Sequence, residues 1–333
     1  MQTLEELIQK YDYDAALRLI REDTNQPASE KTALASRIEA LKRQCIRLDP
    51  EHIPHIFFHA LLVEPKRAFS SKKGDFNKWM ITVREFHKIL DELYSRGYVL
   101  VRLHDICYEV TDPDSGRKKM VYGDIMLPKG KKALVISQDD LCYYEYQNGC
   151  GLAQRIIPGK DGGLACEYID ANGAIHTGNY DLVPILDDFI KNHPDFSYRG
   201  ARAVLGFTGY NGILGYRTDE SYSPSSPYYD PEMEDSPNDS IDADRARAVE
   251  ILKMLAGEGY ELASHSWGHR DMNTVSLDGF QRDTDRWERN VQELIRKAVG
   301  EPSDIYIFPF GSDIGAVGGY ARDILTAIFC AAL

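Results

Sequence analysis

An α/β fold with parallel strands covered by helices is predicted from about residue 50 onward. Short apolar runs recur along this stretch, helical stripes separate them, and the catalytic-looking residues sit directly after the runs. Buried parallel strands read as continuous apolar runs rather than alternating ones, and each needs a crossover helix to the next. In order, Ile53 to Leu62 reads as the opening strand. The stripe Val83, Phe86, Ile89, Leu90, Leu93 stops at Gly97 and is followed by a strand from Tyr98 to Leu103. Ala133 to Ile136 is the third strand, followed by the stripe Leu182, Ile185, Leu186, Phe189. Ala203 to Phe207 is the fourth strand. The stripe Val249, Ile251, Leu252, Leu255 closes at Gly257 or Gly259 and leads into the fifth strand, Tyr260 to Ala263. A helix from about Ser276 to Val299 then precedes the last strand, Ile305 to Phe308.

Residues 1–49 read as a helical hairpin appended to this unit. Leu4, Leu7, Ile8, Ala16, Leu17 and Ile20 form one stripe, and Ile38, Leu41, Cys45 and Leu48 the other, with Asn25-Gln26-Pro27 between them. Residues 50–333 form the main domain, interrupted by two insertions at about 142–180 and 218–241. The first is hairpin-like around Asn172-Gly173. The second is acidic and carries Pro224, Pro227, Pro231 and Pro237, the composition of a lid or mobile segment.

Composition narrows the function classes. The 333 residues carry 39 Lys+Arg against 52 Asp+Glu, a net charge of −13, which argues against nucleic-acid binding. Apolar residues make up 43%, enough for a sizeable core, yet no run approaches the roughly 20 residues that span a bilayer. Met1 to Asp12 is acidic and has no signal-peptide apolar core, so export would need a segment outside the chain. The six cysteines, at 45, 107, 142, 150, 166 and 330, contain no CxxC and read as free, buried thiols, with a Cys142–Cys150 or Cys150–Cys166 staple as the alternative. The basic stretch Arg117-Lys118-Lys119 reads as a solvated surface.

Two strand ends carry the chemistry. The third strand ends in Ser137-Gln138-Asp139-Asp140, and adjacent carboxylates at a strand mouth repel unless a cation intervenes. The fifth ends in His265-Ser266-Trp267-Gly268-His269, whose two imidazoles can share a metal if the segment turns. Sites in parallel α/β folds lie at these carboxyl ends. A second pair of the same spacing, His55 and His59, falls on the opening strand, where four residues span roughly 13 Å and cannot chelate one ion. A third strand-end segment, Ile307-Phe308-Pro309-Phe310-Gly311, follows downstream.

In this order, strand–Asp-Asp, His-Ser-x-x-His and Pro-aromatic-Gly, the chain resembles the NodB-homology polysaccharide deacetylases, carbohydrate esterase family four, from about Ile53 to Gly311. The opening strand ending in Phe58-His59 and the helix into Gly97-Tyr98-Val99-Leu100 are part of that resemblance. It implies a distorted (β/α) barrel and hydrolysis of N-acetyl, or O-acetyl, groups on a polysaccharide or peptidoglycan-type glycan. By position, Asp139 matches the base, Asp140, His265 and His269 the metal ligands, and the Phe310 backbone N–H an oxyanion donor. The implied cofactor is one divalent transition-metal ion, zinc first, with cobalt, manganese or nickel also suited to N/O ligands. The implied partner is an acetylated glycan, and the family's usual place is outside the cytoplasm.

The departures are specific. Ile307 or Phe308 stands where the family has a base-orienting Arg, with Arg270 as a weak substitute. No His follows His269 to serve as the family's general acid, and the apolar end Ile324–Leu333 suggests a shortened C-terminus. Two other functions therefore remain open: an impaired sugar-binding relative, and a metallohydrolase of another amide. Loop tyrosines, including Tyr143, Tyr144, Tyr146, Tyr210, Tyr216, Tyr222, Tyr228 and Tyr229, are candidates for sugar stacking.

Overall fold

A computed structural model of the protein describes residues 3–312. The expected shortened C-terminus, like Cys330, lies outside the described residues. The chain divides into two compact units. One takes the chain up to Ile56 together with His87–Ile136 and Leu186–Ala203, and the other takes Phe57–Phe86, Ser137–Ile185 and the chain from Val204 onward.

The architecture is mixed α/β. Its strands in the main sheet are β1 (His55–Phe58), β2 (Tyr98–Leu100), β3 (Lys132–Gln138), β4 (Val204–Phe207), β5 (Glu261–Ser264) and β6 (Ile305–Tyr306). The strand order is β6-β5-β4-β3-β1, of which β6, β5, β4 and only the last residues of β3 and β1 belong to the second unit, with parallel registers such as Leu205↔Gln138, Leu205↔Leu262 and Ala263↔Ile305. In the first unit, β2 runs parallel to the start of β3, pairing Val99 with Ala133. The predicted strands are all present, generally shorter than their apolar runs. The predicted barrel is not closed among the described residues, where these strands form an open order. β4 and β5 are buried along their whole length; β4 is apolar throughout, whereas β5 also buries Glu261 and Ser264 at its two ends.

The first unit opens with three helices where the sequence predicts two: α1 (Leu4–Gln9), α2 (Tyr13–Glu22) and α3 (Ala28–Lys42). Thr3 and Glu6 form a capping box on α1, and Asp12 caps α2. Tyr11 between them is left-handed, so the first stripe breaks into two. The second stripe also overruns its helix, because Cys45–Arg47 is a strand pairing antiparallel with Met126–Pro128. A hairpin, Cys107–Thr111 with Lys118–Tyr122, occupies the basic stretch, and Lys118 and Lys119 pair with Glu109 and Asp112. Helices α4 (Val83–Ser95) and α5 (Leu182–Asn192) each begin in the second unit and end in this one.

The second unit adds α6 (Ile241–Glu258), α7 (Leu277–Trp287) and α8 (Glu293–Val299). Gly259 ends α6 at φ 104, the left-handed stop that the sequence suggests. The predicted helix from Ser276 onward is interrupted by a π-helical turn, Glu288–Gln292, between α7 and α8. The first insertion is an antiparallel sheet of Ala153–Pro158, Leu164–Ile169 and Ile175–Gly178. The second insertion is tied down rather than free. Glu145, itself buried, accepts hydrogen bonds from Tyr222 Oη and the backbone N–H groups of Glu234 and Asp235. The five described cysteines are free thiols, so neither disulfide staple forms.

Candidate metal centre

Parallel strands bring three chain segments level at their carboxyl ends. Asp139 N–H donates to Phe58 O at 2.8 Å, His265 N–H to Phe207 O at 2.9 Å and Ile307 N–H to Ser264 O at 2.8 Å. These bonds join the end of β3 to that of β1, and the end of β5 to those of β4 and β6. Asp140 takes a left-handed conformation (φ 57), which turns the chain at the end of β3. Its Oδ1 lies 3.9 Å from His265 Nε2 and 3.7 Å from His269 Nε2. One ligand atom from each of these three residues falls within 4.8 Å of the others. Ligand atoms bound at about 2.0–2.2 Å to a shared ion lie at most about 4.4 Å apart, so the two measured separations suit one centre.

The imidazoles are oriented for that role. His265 Nδ1 lies 2.9 Å from Ile307 O, and a proton held there leaves the Nε2 lone pair facing Asp140. His269 stands 5.0 Å from His265, ring centre to ring centre. Burial lowers the His269 pKa, opposed by the Asp140 carboxylate. Asp140 also receives a 2.6 Å hydrogen bond from Tyr144 Oη, which lies 2.8 Å from Thr208 Oγ1. Burial first, and the Asp140 charge second, hold the Tyr144 hydroxyl protonated well above its ordinary range. One carboxylate and two imidazoles on neutral partners fit a divalent transition metal ion.

The turn between the two histidines is strained and heavily bonded. Ser266 (φ 63) and His269 (φ 50) are both left-handed, a cost of order 1–3 kcal/mol each for residues other than glycine. Asp283, on α7, accepts from Ser266 Oγ (2.7 Å), Trp267 N (2.7 Å) and Gly268 N (2.8 Å). Trp267 Nε1 donates to the buried Asp219 at 2.7 Å, and the Arg286 guanidinium lies 3.4 Å above the Trp267 ring. Neither Asp219 nor Asp283 announces itself in the sequence; only their apolar, helical and loop surroundings are legible there.

The remaining predicted residues divide. Asp139 is 8% exposed and accepts from Ser137 Oγ at 3.1 Å, beside the Asp140 cluster. Phe310 is left-handed (φ 61) and sets its exposed ring 4.3 Å from that of His269. Arg270 turns towards Asp283 (Nε–Oδ1 3.5 Å) on the exposed surface. His59 reaches the site after all. Its Nε2 is 3.9 Å from Asp140 Oδ2, the opposite oxygen from the one facing His265 and His269, and its Nδ1 is 3.1 Å from Trp79 O. The distance argument against a His55/His59 chelate holds, yet it hid His59 as a site residue in its own right. The signal was present: His59 directly follows the opening strand, as Asp139 follows β3 and His265 follows β5.

Part of the predicted aromatic stacking is among the protein's own rings. Phe76, Tyr146, Tyr144 and Tyr210 form a column with successive ring centres 6.2, 5.5 and 5.0 Å apart and near-parallel planes. Tyr144 is thereby buried within the column, while Tyr146 keeps part of its ring exposed. Exposed rings do lie beside the histidines: Phe57 is 5.8 Å from His59 and Phe310 4.3 Å from His269.

Comparison with known proteins finds similarity over the segment that carries the His265–His269 turn. Residues 236–326 match the polysaccharide deacetylase family. This bears out the resemblance read from the sequence, on the segment that carries its second and third motifs. An uncharacterised 30.6 kDa protein from the fumA 3′ region of Geobacillus stearothermophilus is 32% identical over 62 residues, 19% of this chain and 22% of that protein. The chain therefore aligns with about a fifth of the length of that curated relative. Among solved structures, the Streptococcus pyogenes deacetylase PplD in complex with acetate aligns with 85% of this chain and 81% of its own, at 10% identity and a TM-score of 0.39. That likeness is too remote to carry a statement about this chain. No helix among the described residues is long and apolar enough to cross a membrane.

Proposed function

We propose that the protein is a metal-dependent deacetylase that hydrolyses N-acetyl groups, or O-acetyl groups, on a polysaccharide or peptidoglycan-type glycan within a distorted (β/α) barrel. The observation that carries this reading is the Asp140 carboxylate set among three imidazoles, with a second carboxylate, Asp139, adjacent in the chain. Asp140, His265 and His269 would hold the ion, zinc first among divalent transition metals. When bound, such an ion polarises the acetyl carbonyl and lowers the pKa of water.

The protein's own residues supply the proton traffic. Asp139, oriented by Ser137, takes a proton from the water that attacks the acetyl carbon. The Phe310 backbone N–H donates to the oxygen that gains charge in the transition state. As the C–N bond breaks, the leaving nitrogen needs a proton; His59, with Nδ1–H directed at Trp79 O, would give one from Nε2 as the imidazolium and regain it from solvent. Water and the acetylated amine become acetate and the free amine.

The test is acetate release from N-acetylated oligosaccharides by wild type and Asp139→Asn. The variant should keep its metal and lose turnover by about 10²–10⁴-fold, the scale of a lost general base. Full turnover in the variant removes Asp139 as base. Metal binding without acetate release from any acetylated glycan would favour the sugar-binding relative, and activity on small amides alone the other metallohydrolase.

A further inference from the structure

The segment that carries two of the three ligands is built in an unfavourable backbone conformation, with Ser266 and His269 both at positive φ. Something other than local preference must hold it. We propose that Asp283 is a positioning residue that fixes the His265–His269 turn in its ligand-ready shape before any metal arrives. The inference rests on the reading of Asp140, His265 and His269 as the metal ligands.

The geometry is that of a clamp. Asp283 is 5% exposed, and its two oxygens take three donors from three consecutive residues lying between the histidines. Oδ2 accepts from Ser266 Oγ and Trp267 N, and Oδ1 accepts from Gly268 N. Ser266 Oγ in turn accepts from the backbone N–H of Arg270, so the same network reaches past His269 on the far side. A carboxylate is the one side chain of this size that offers only acceptors. An amide would aim N–H groups at at least one of these N–H or O–H donors, leaving buried groups unpaired. Arg270 Nε, 3.5 Å from Oδ1, adds charge from a side chain that is 55% exposed, whereas the short bonds set the shape. Asp283 touches neither histidine, so its effect on the ion passes through the turn.

The experiment is Zn²⁺ titration of metal-free wild type, Asp283→Asn, Ser266→Ala and Arg270→Gln against a competing chelator. It is paired with amide hydrogen exchange at Trp267 and Gly268 in the metal-free wild type. Asp283→Asn should bind Zn²⁺ about 10–100-fold more weakly, the usual cost of losing an outer partner of a metal site. Ser266→Ala should weaken binding by less, and Arg270→Gln by no more than about fivefold, as for an exposed ion pair. The Trp267 and Gly268 amides should be protected before metal is added. Wild-type affinity in Asp283→Asn overturns the proposal, as does an Arg270→Gln loss equal to that of Asp283→Asn. Unprotected amides in the metal-free protein overturn it as well. Should Asp283→Asn fail to fold, Ser266→Ala and the exchange measurement still decide. A wild type that binds no Zn²⁺ refutes the ligand assignment instead, while the exchange result continues to judge whether the turn is preformed.

Discussion

The sequence contains two His-x-x-x-His pairs, and only one brings both its imidazoles to the same carboxylate oxygen. His265 and His269 lie on a turn after β5, their rings 5.0 Å apart, both facing one oxygen of Asp140. His55 and His59 have the same spacing, but His55 opens β1 and lies exposed, while His59 follows its last residue. An extended strand separates such residues by roughly 13 Å, so the second pair is divided between solvent and site. Spacing in sequence therefore reports proximity only after the backbone path is known. Position after a parallel strand is the better signal, since Asp139, Asp140, His59 and His265 all share it.

This contrast can be broken by substitution. His59→Ala should retain the metal and lower kcat by about 10²–10⁴-fold, the range for a missing acid catalyst. If His59 were instead needed to hold the ion, the same variant would lose metal along with turnover. Asp181 provides an intermediate test, because it ties the ends of β1 and β3 together. Its buried carboxylate accepts from Leu61 N, Leu182 N, Gln138 Nε2 and Tyr143 Oη. Burial raises the Asp181 pKa above the ordinary carboxylate value, so the folded protein keeps this proton to higher pH than the unfolded chain. Its favourable contribution is full below an unfolded value of about 3.9 and is lost as pH rises through the folded value. Asp181→Asn should remove that decline, so that wild-type stability falls with rising pH relative to the variant. Parallel stability curves from denaturant titrations across this range would contradict the assignment. The smallest effect is expected at His55→Ala, within about 0.5 kcal/mol in stability, with turnover and metal content unchanged.

Much of the fold was legible because buried parallel strands write themselves as apolar runs. The strand positions, the Gly259 helix stop and the Asn172-Gly173 hairpin follow from local sequence alone. What was not legible depends on partners distant in the chain. The π-turn at Glu288–Gln292 interrupts a stripe that looks continuous, and Tyr11 breaks another. Proline and acidic residues marked 218–241 as a lid, whereas Glu145, some ninety positions upstream of Asp235, fastens it. At the site, Asp140, His265 and His269 were readable from motif and strand end. Asp283 and Asp219 were not, since a lone Asp on a helix or in a loop looks like any solvated surface residue. Of the loop tyrosines that suggested stacking faces, Tyr144 is buried against neighbouring rings, whereas Tyr146 and Tyr228 remain exposed.

The central claim is that one metal ion sits on Asp140, His265 and His269, with His59 beside it but not holding it. Elemental analysis of purified wild type, His265→Ala and His59→Ala, after exposure to Zn²⁺ and removal of the excess, tests this directly. About one ion per chain in wild type and His59→Ala, and none in His265→Ala, is the predicted result. An ion kept by His265→Ala, or lost from His59→Ala, would contradict it.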